Sequence, residues 1–228
     1  MTLRVATYNI HRCVGRDGMV SCQRIATVLK GLRADVMALQ EVAYDPDTLG
    51  RGLGLLTRTL RATAIPGPTL MEHKGWYGNV LLTRIPPCAV QRLDLRRSGR
   101  EARGAVAVTI IKAERRIRIV ATHLGLGPAE RRAQTRRLLT WLAGGNADIT
   151  ILMGDCNEWW PWARVLRWVA GRFGHSPAPA SFPAHRPLLS LDRIWVAPAH
   201  RLLTVDAYRK PPAAEASDHL PLVARVRL

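Results

Sequence analysis

Residues Ile149-Thr150-Ile151-Leu152-Met153-Gly154-Asp155-Cys156-Asn157-Glu158 decide how the rest of the chain is read. Four of the first five are apolar, the mark of a buried strand. Gly154 permits a sharp change of direction, and Asp155 and Asn157 follow two apart. In an extended chain both side chains then point to one side. A carboxylate and an amide so placed can hold a water, a metal or a phosphoryl oxygen. The same D-x-N after a strand is also an ordinary turn, because short polar side chains bond their own backbone. Recurrence decides between the two readings: other apolar runs along the chain also end in polar residues. Cys156 alternates with Asp155 and Asn157 and is expected to point away from them and pack.

Toward the N-terminus, residues 3–10 read as a strand ending near Asn9, residues 23–32 as a helix, and residues 36–42 as a strand carrying Glu41. Asp45 to Thr48 is turn-rich, and residues 53–60 form a helix. A turn and strand span residues 75–83, closed by Pro86-Pro87. Residues 90–95, 104–111 and 116–123 are further strands, the last ending at His123, and a basic segment, 96–103, joins the first two. Pro128 opens a helix to about Ala143, with Arg131, Arg132, Arg136 and Arg137 on its basic side. Beyond the opening stretch, a helix is expected over residues 159–169, with Pro161 in its first turn. Trp159, Trp160, Trp162 and Trp168 can stack on bases or enter a lipid interface, but helical spacing favours core packing. Residues 177–187 are a proline-rich loop, and residues 191–196 and 220–226 are the last strands. The pattern is α/β (α+β), in layers, with one domain over residues 1–228.

Composition narrows the function without naming it. Apolar content of 47% over 228 residues suits one sizeable core. Arginines interrupt every apolar segment, so none reads as a transmembrane span. The N-terminus lacks a basic region, a long apolar run and a cleavage site, which favours the cytoplasm. Cys13, Cys22, Cys88 and Cys156 contain no C-x-x-C pair. A net charge of +17 favours phosphate-rich partners such as DNA, RNA or anionic phospholipid. The bland alternative is a generally arginine-rich surface.

The polar residues at strand ends are Asn9, Glu41, His123, Asp155, Asn157, Asp192 and His219, with Asp218 beside the last. A sheet edge can gather them from distant segments. Carboxylates and amides together suit a hard cation such as Mg²⁺, and the lack of cysteine and histidine pairs argues against structural zinc. Arg103 is as readily a solvated arginine as a phosphate contact. His11 lies near the same mouth without being a ligand, and Asn79 serves a turn as readily as a substrate.

Six pieces of the chain resemble the endonuclease/exonuclease/phosphatase superfamily. They are Thr7-Tyr8-Asn9-Ile10, Leu39-Gln40-Glu41-Val42, Thr122-His123-Leu124, Gly154-Asp155-Cys156-Asn157, Leu191-Asp192-Arg193-Ile194 and Ser217-Asp218-His219-Leu220-Pro221, in the family's order. The resemblance implies a DNase I-like four-layer α/β/β/α sandwich, with two central mixed sheets flanked by helices. It implies that Glu41 is the principal metal ligand, with Asn9 and Asp218 nearby, and that the cation is Mg²⁺, with Mn²⁺ as substitute. It further implies that Asp155 orients or activates the attacking water and that Asn157 binds the phosphoryl group. His219 would contact a phosphoryl oxygen or move a proton, with Asp192 orienting it, and His123 would donate a proton or stabilise phosphate. The expected reaction is metal-assisted, direct attack of water on a phosphodiester, nuclease-like. The alternatives are a phospholipid or small-molecule phosphodiesterase or phosphatase of the same family, and a non-catalytic protein that binds nucleic acid or anionic membrane.

Overall fold

Runs of apolar residues become inner strands because both of their faces are covered. A computed structural model describes residues 1–47 and 50–228. Its first elements are β1 (Thr2–Asn9), α1 (Cys22–Leu32), β2 (Val36–Tyr44), α2 (Gly50–Leu60), β3 (Thr63–Glu72) and β4 (Gly75–Thr83). Then come β5 (Pro87–Asp94), β6 (Gly104–Lys112), β7 (Arg115–His123), α3 (Pro128–Ala143), β8 (Ile149–Asp155), α4 (Arg164–Phe173) and β9 (Asp192–Ala197). The last are β10 (Leu202–Ala207), the short α5 (Ala213–Ala216) and β11 (Leu222–Arg227).

One sheet has the order β10-β11-β1-β2-β4-β3 and the other β5-β6-β7-β8-β9. Alternate residues of each inner strand go to different cores, as the two-residue period of a strand requires. Val5, Val36 and Ala38 meet Val108, Ile119 and Ile151 between the sheets. Their neighbours Ala6, Met37 and Leu39 turn outward and pack on Ile25, Leu29 and Leu56 of α1 and α2. On the far side, Val120 and Leu152 pack on Leu138 and Leu142 of α3 and on Val165 and Val169 of α4. The result is helix, sheet, sheet, helix, the four layers expected from the resemblance.

Each sheet contains one parallel pair, β1 with β2 and β7 with β8, joined through α1 and α3 respectively. A parallel pair brings two strand C-termini to the same edge. Asn9 and Glu41 therefore finish side by side in one sheet, and His123 and Asp155 in the other.

The elements missed from sequence are edge strands or very short. β3 carries Pro66 and Pro68, and β10 shows a register shift near Leu202. Proline is tolerated at an edge because the missing N–H faces no partner strand. Pro87 does not close an element but starts edge strand β5, well before the expected position 90. The turn after Asp45 is seen through Asp47, while Thr48 lies outside the described residues.

The helix expected from Trp159 begins only at Arg164. Glu158 accepts the Trp160 N–H at 3.3 Å, and a turn closes from Ala163 N–H to the Trp160 carbonyl at 2.9 Å. Residues 158–163 are thus held outside helical geometry, and Pro161 sits in the turn. The core role expected for the tryptophans holds only for Trp168, which packs on the outer core of the second sheet. Trp159, Trp160 and Trp162 are 59%, 61% and 69% exposed. Arg131, expected on the basic outer face of α3, is buried instead, because Glu158 takes its Nε–H at 3.0 Å.

Gly154 allows β8 to lie tightly beside β7. Its φ is +149°, and a Cβ there would sit 1.9 Å from the Thr122 carbonyl oxygen. Gly154→Ala should therefore cost about 2–4 kcal/mol in urea unfolding. A loss under about 0.5 kcal/mol, the size of an ordinary surface change, would show that the two backbones do not approach this closely.

Candidate active site

The polar ends of the two parallel pairs meet where the sheets face each other. In the second sheet, register makes a row: His123 is opposite Asp155 on β8, and Asp155 is opposite Asp192 on β9. In the first sheet, Asn9 ends β1, and Glu41 sits at a bulge between Leu39 and Val42 of β2. Glu41 has a left-handed φ of 55°, and Asn157 one of 49°. Left-handed backbone costs a residue with a Cβ about 1–3 kcal/mol and persists where neighbours enforce it. At Glu41 it accompanies the bulge within β2, and at Asn157 it turns the chain just past the end of β8.

The Asn9 amide joins the two sheets. Its Nδ2 donates to Glu41 Oε1 at 2.9 Å and to Asp155 Oδ2 at 3.1 Å. Its Oδ1 accepts the His11 backbone N–H at 3.0 Å, which fixes which end of the amide faces the carboxylates. Asn9 thereby presents N–H groups toward Glu41 and Asp155, and its oxygen is already engaged. In that orientation it bridges the two carboxylates.

Asp155 is 1% exposed and is met from several sides. Its Oδ1 accepts the Asn157 N–H at 2.8 Å. Its Oδ2 lies 3.6 Å from His123 Nε2 and 3.7 Å from His219 Nε2. Asn157 gives its Nδ2 to the Leu124 carbonyl at 2.9 Å and lies 3.0 Å from His123 Nε2. Asp155 and Asn157 are thus tied to each other and to His123, while Cys156 is buried among apolar residues of the outer core.

The two histidines on Asp155 are shifted in opposite directions. His219 is buried, which by itself would strip its proton. The charge and hydrogen bond of Asp192, together with Asp155, outweigh burial and raise it to about 10. Its Nδ1 is 2.7 Å from Asp192 Oδ2, which also accepts the Ser181 hydroxyl at 2.7 Å. His123 is pushed down to about 3, chiefly by burial, with Asp155 opposing and the Arg103 guanidinium reinforcing the fall. Its Nδ1 faces Arg103 Nη1 at 3.2 Å. A ring hemmed in by N–H groups has no site that welcomes a second proton.

Arg103 is neither a solvated arginine nor a free phosphate contact: it is buried and held by Glu101 at 3.0 Å. Asn79 lies within β4, not in a turn, and donates to the Gly104 carbonyl at 3.0 Å across the gap between sheets. Asp218 stands apart from the centre. Its side chain is 43% exposed, 3.9 Å from His11 Nδ1, and no hydrogen bond joins it to Glu41 or Asp155 among the described residues. Ser181, inside the proline-rich loop, and Ser217, whose hydroxyl donates to the Asn9 carbonyl at 2.8 Å, were not singled out from sequence. No periodicity marks a lone serine in a loop.

Among the described residues, Asp155, Asp192 and His219 offer ligand atoms within 4.8 Å of one another. A cation inside that trio would have to break the His219–Asp192 hydrogen bond, and protonated His219 already supplies its positive charge. Glu41 and Asp155 are the better fit for a hard cation. They are two oxygen donors held within reach of one amide, and Glu41 is only partly buried.

The folded protein holds the His219 proton more tightly than the unfolded chain, whose ordinary value is 6.5. His219 therefore contributes stability in full below that value, and the contribution is lost as pH rises through about 10. In chelator, the stability difference between wild type and His219→Asn should be widest below about pH 6.5 and shrink as pH rises toward 10. A gap that stays constant across this window would mean that His219 is neutral when folded.

Comparison with known proteins closes the question of kinship. Residues 6–219 match the sequence profile of the Endonuclease/Exonuclease/phosphatase family. Uncharacterized protein YbhP of Escherichia coli strain K12 is 28% identical over 257 aligned residues, covering 100% of this chain and 97% of that one. An endonuclease/exonuclease/phosphatase from Beutenbergia cavernae superposes with a TM-score of 0.76 at 24% identity, covering 100% of this chain and 72% of that one. The human Nocturnin catalytic domain, solved with a bound sulfate anion, superposes at 0.73 with 23% identity, covering 98% and 92%. The six ordered motifs and the sandwich they build identify the chain as a member of the Endonuclease/Exonuclease/phosphatase family.

Proposed function

We propose that the protein is a Mg²⁺-dependent phosphodiester hydrolase of nuclease type. The carrying observation is Asp155, a buried carboxylate touched at once by Asn9 from the other sheet, by Asn157 and by two histidines within 3.7 Å. A purely binding protein has no use for that arrangement, since burying a carboxylate is costly.

Glu41, with Asp155 beside it, would hold the cation, Mn²⁺ serving as substitute. When bound, the cation offsets charge on the phosphoryl oxygens and acidifies a coordinated water. Asp155 would orient the attacking water and accept its proton, which requires hydrogen-bond reach and a free lone pair. Asn9 keeps Asp155 turned toward Glu41. His219, protonated and oriented by Asp192, points Nε2 at the same side of Asp155 and can donate to a phosphoryl oxygen. Asn157 supplies a further amide to the phosphoryl group. His123, its pKa pushed down by burial, lies between the Arg103 and Asn157 N–H groups and as a neutral ring can accept from one of them, so its place here is to position that neighbour. Asp218, 3.9 Å from His11 Nδ1 and close enough to add to the positive charge held on His219, would support the same centre from its open side.

The charge of +17 supports a polyanionic substrate, with arginines supplying nonspecific phosphate affinity. A phospholipid or small-molecule diester is the second reading, favoured by the exposed Leu126 and Trp159 beside the site.

A panel of nicked plasmid, abasic duplex, single strands and headgroup release from vesicles, run with Mg²⁺, tests both. Wild type should hydrolyse nucleic acid and lose the activity in chelator. Glu41→Ala and Asp155→Ala should each reduce turnover by about 10²–10⁴-fold with the fold intact by circular dichroism. Equal rates in all three proteins would overturn the assignment, and release of headgroup alone would move the substrate to lipid.

A further inference from the structure

The hollow beside the catalytic strand ends has walls of a different character. It measures about 730 Å³ and is lined by Leu126, Trp159, Trp160, Trp162, Arg164 and Arg167, among others. Both of its walls grow out of the candidate site. Leu126 comes three residues after His123, and Glu158 to Trp162 follow Asn157 directly. The hollow is thus built from the two segments that leave His123 and Asn157.

The hollow's floor is the Arg131–Glu158 pair, with each side chain 5% exposed. Arg131 also donates to the carbonyls of Gly125 and Leu126, so one guanidinium ties the two walls together. The tryptophans above are held in the open by this bracing. Trp160 and Trp162 have ring centroids 5.5 Å apart and tilt by 38°, so they do not cover each other face to face. The first turn of α4 contributes Ala163, Arg164 and Val165, and no side chain caps it. Arg164 and Arg167 are both exposed.

Exposed aromatic rings beside exposed guanidinium groups match a ligand that carries both flat rings and phosphates. We propose that this hollow binds the unpaired bases of single-stranded nucleic acid flanking the phosphate centre. This rests on the hydrolase reading and sharpens its substrate. A duplex keeps its base faces stacked and offers the tryptophans nothing. A bilayer would meet a protruding apolar surface better than a concave one with a buried ion pair for its floor. Stacking on exposed aromatic rings and salt-dependent phosphate contacts are the two ordinary sources of single-strand affinity.

The test is fluorescence anisotropy with a labelled single-stranded oligonucleotide in chelator, so that binding is read without cleavage. Trp160→Ala and Trp162→Ala should each weaken binding about 10-fold or more. Arg164→Ala with Arg167→Ala should weaken it and flatten its salt dependence. Hydrolysis of bis(p-nitrophenyl) phosphate, too small to span the hollow, should be unchanged in the tryptophan variants. Equal single-strand affinity in wild type and the tryptophan variants would overturn the proposal. So would tighter binding to duplex of the same sequence, or a loss confined to anionic vesicles measured by sedimentation. A wild type that cleaves no phosphoester, yet loses single-strand binding in the tryptophan variants, would sink the hydrolase reading and leave this one standing.

Discussion

Burying the charge of Asp155 is the constraint around which the molecule is arranged. A carboxylate at 1% exposure is tolerated only with hydrogen-bond donors and positive charge close by. Its own sheet supplies Asn157 and His123, but the cationic partner, His219, comes from the loop before β11, and the bridging amide from β1 of the opposite sheet. The two sheets must therefore meet with their polar strand ends in register. The apolar core between them, where Val36 and Ala38 face Ile119 and Ile151, sets that distance. Packing and chemistry are thus one constraint, since a slip of one residue in β8 would turn Asp155 into the outer core.

The same carboxylate sorts the two histidines. Both lie under 4 Å from it, so its charge alone cannot distinguish them. Their second neighbours do. His219 has a further carboxylate at Nδ1, and His123 has a guanidinium there. One ring is held as a donor of positive charge and the other as a neutral strut, an acid/base division built from environment with one residue type.

Much of this was legible in the sequence. The inner strands were readable because burial on both faces leaves an unbroken apolar run with a polar residue at its end. The edge strands were not, since β3 interrupts itself with Pro66 and Pro68, which mark a turn to any local reading. The positions of Asn9, Glu41, His123, Asp155, Asn157, Asp192 and His219 were legible as strand ends, but not which atom of each faced which neighbour. The Asn9 amide is oriented by one backbone N–H, from His11. The buried state of Arg103 depends on Glu101 and on a histidine of the neighbouring strand. Neither relation leaves a periodic trace. The tryptophans were misjudged for a related reason: Trp162, Val165, Leu166 and Val169 share helical spacing, and only the bonds of Glu158 show that the first lies outside the helix.

Those bonds of Glu158 explain why three large aromatic residues stay in water. Buried ion pairs seldom add net stability, because desolvating two charges offsets most of their attraction. What the Arg131–Glu158 pair does supply is direction. Its carboxylate accepts from Trp160 N on one oxygen and from Arg131 on the other, while Arg131 reaches back to the segment after His123. Collapse of the tryptophans onto the outer core of the second sheet would require breaking this pair and leaving a buried charge alone, a loss of roughly 3–5 kcal/mol. Burying one large side chain recovers only about 1.5–3 kcal/mol, so no single ring gains enough by itself to break the pair. The exposed rings are thus held open by the same kind of constraint that assembles the centre beside them: a buried charge whose partners lie on separate segments.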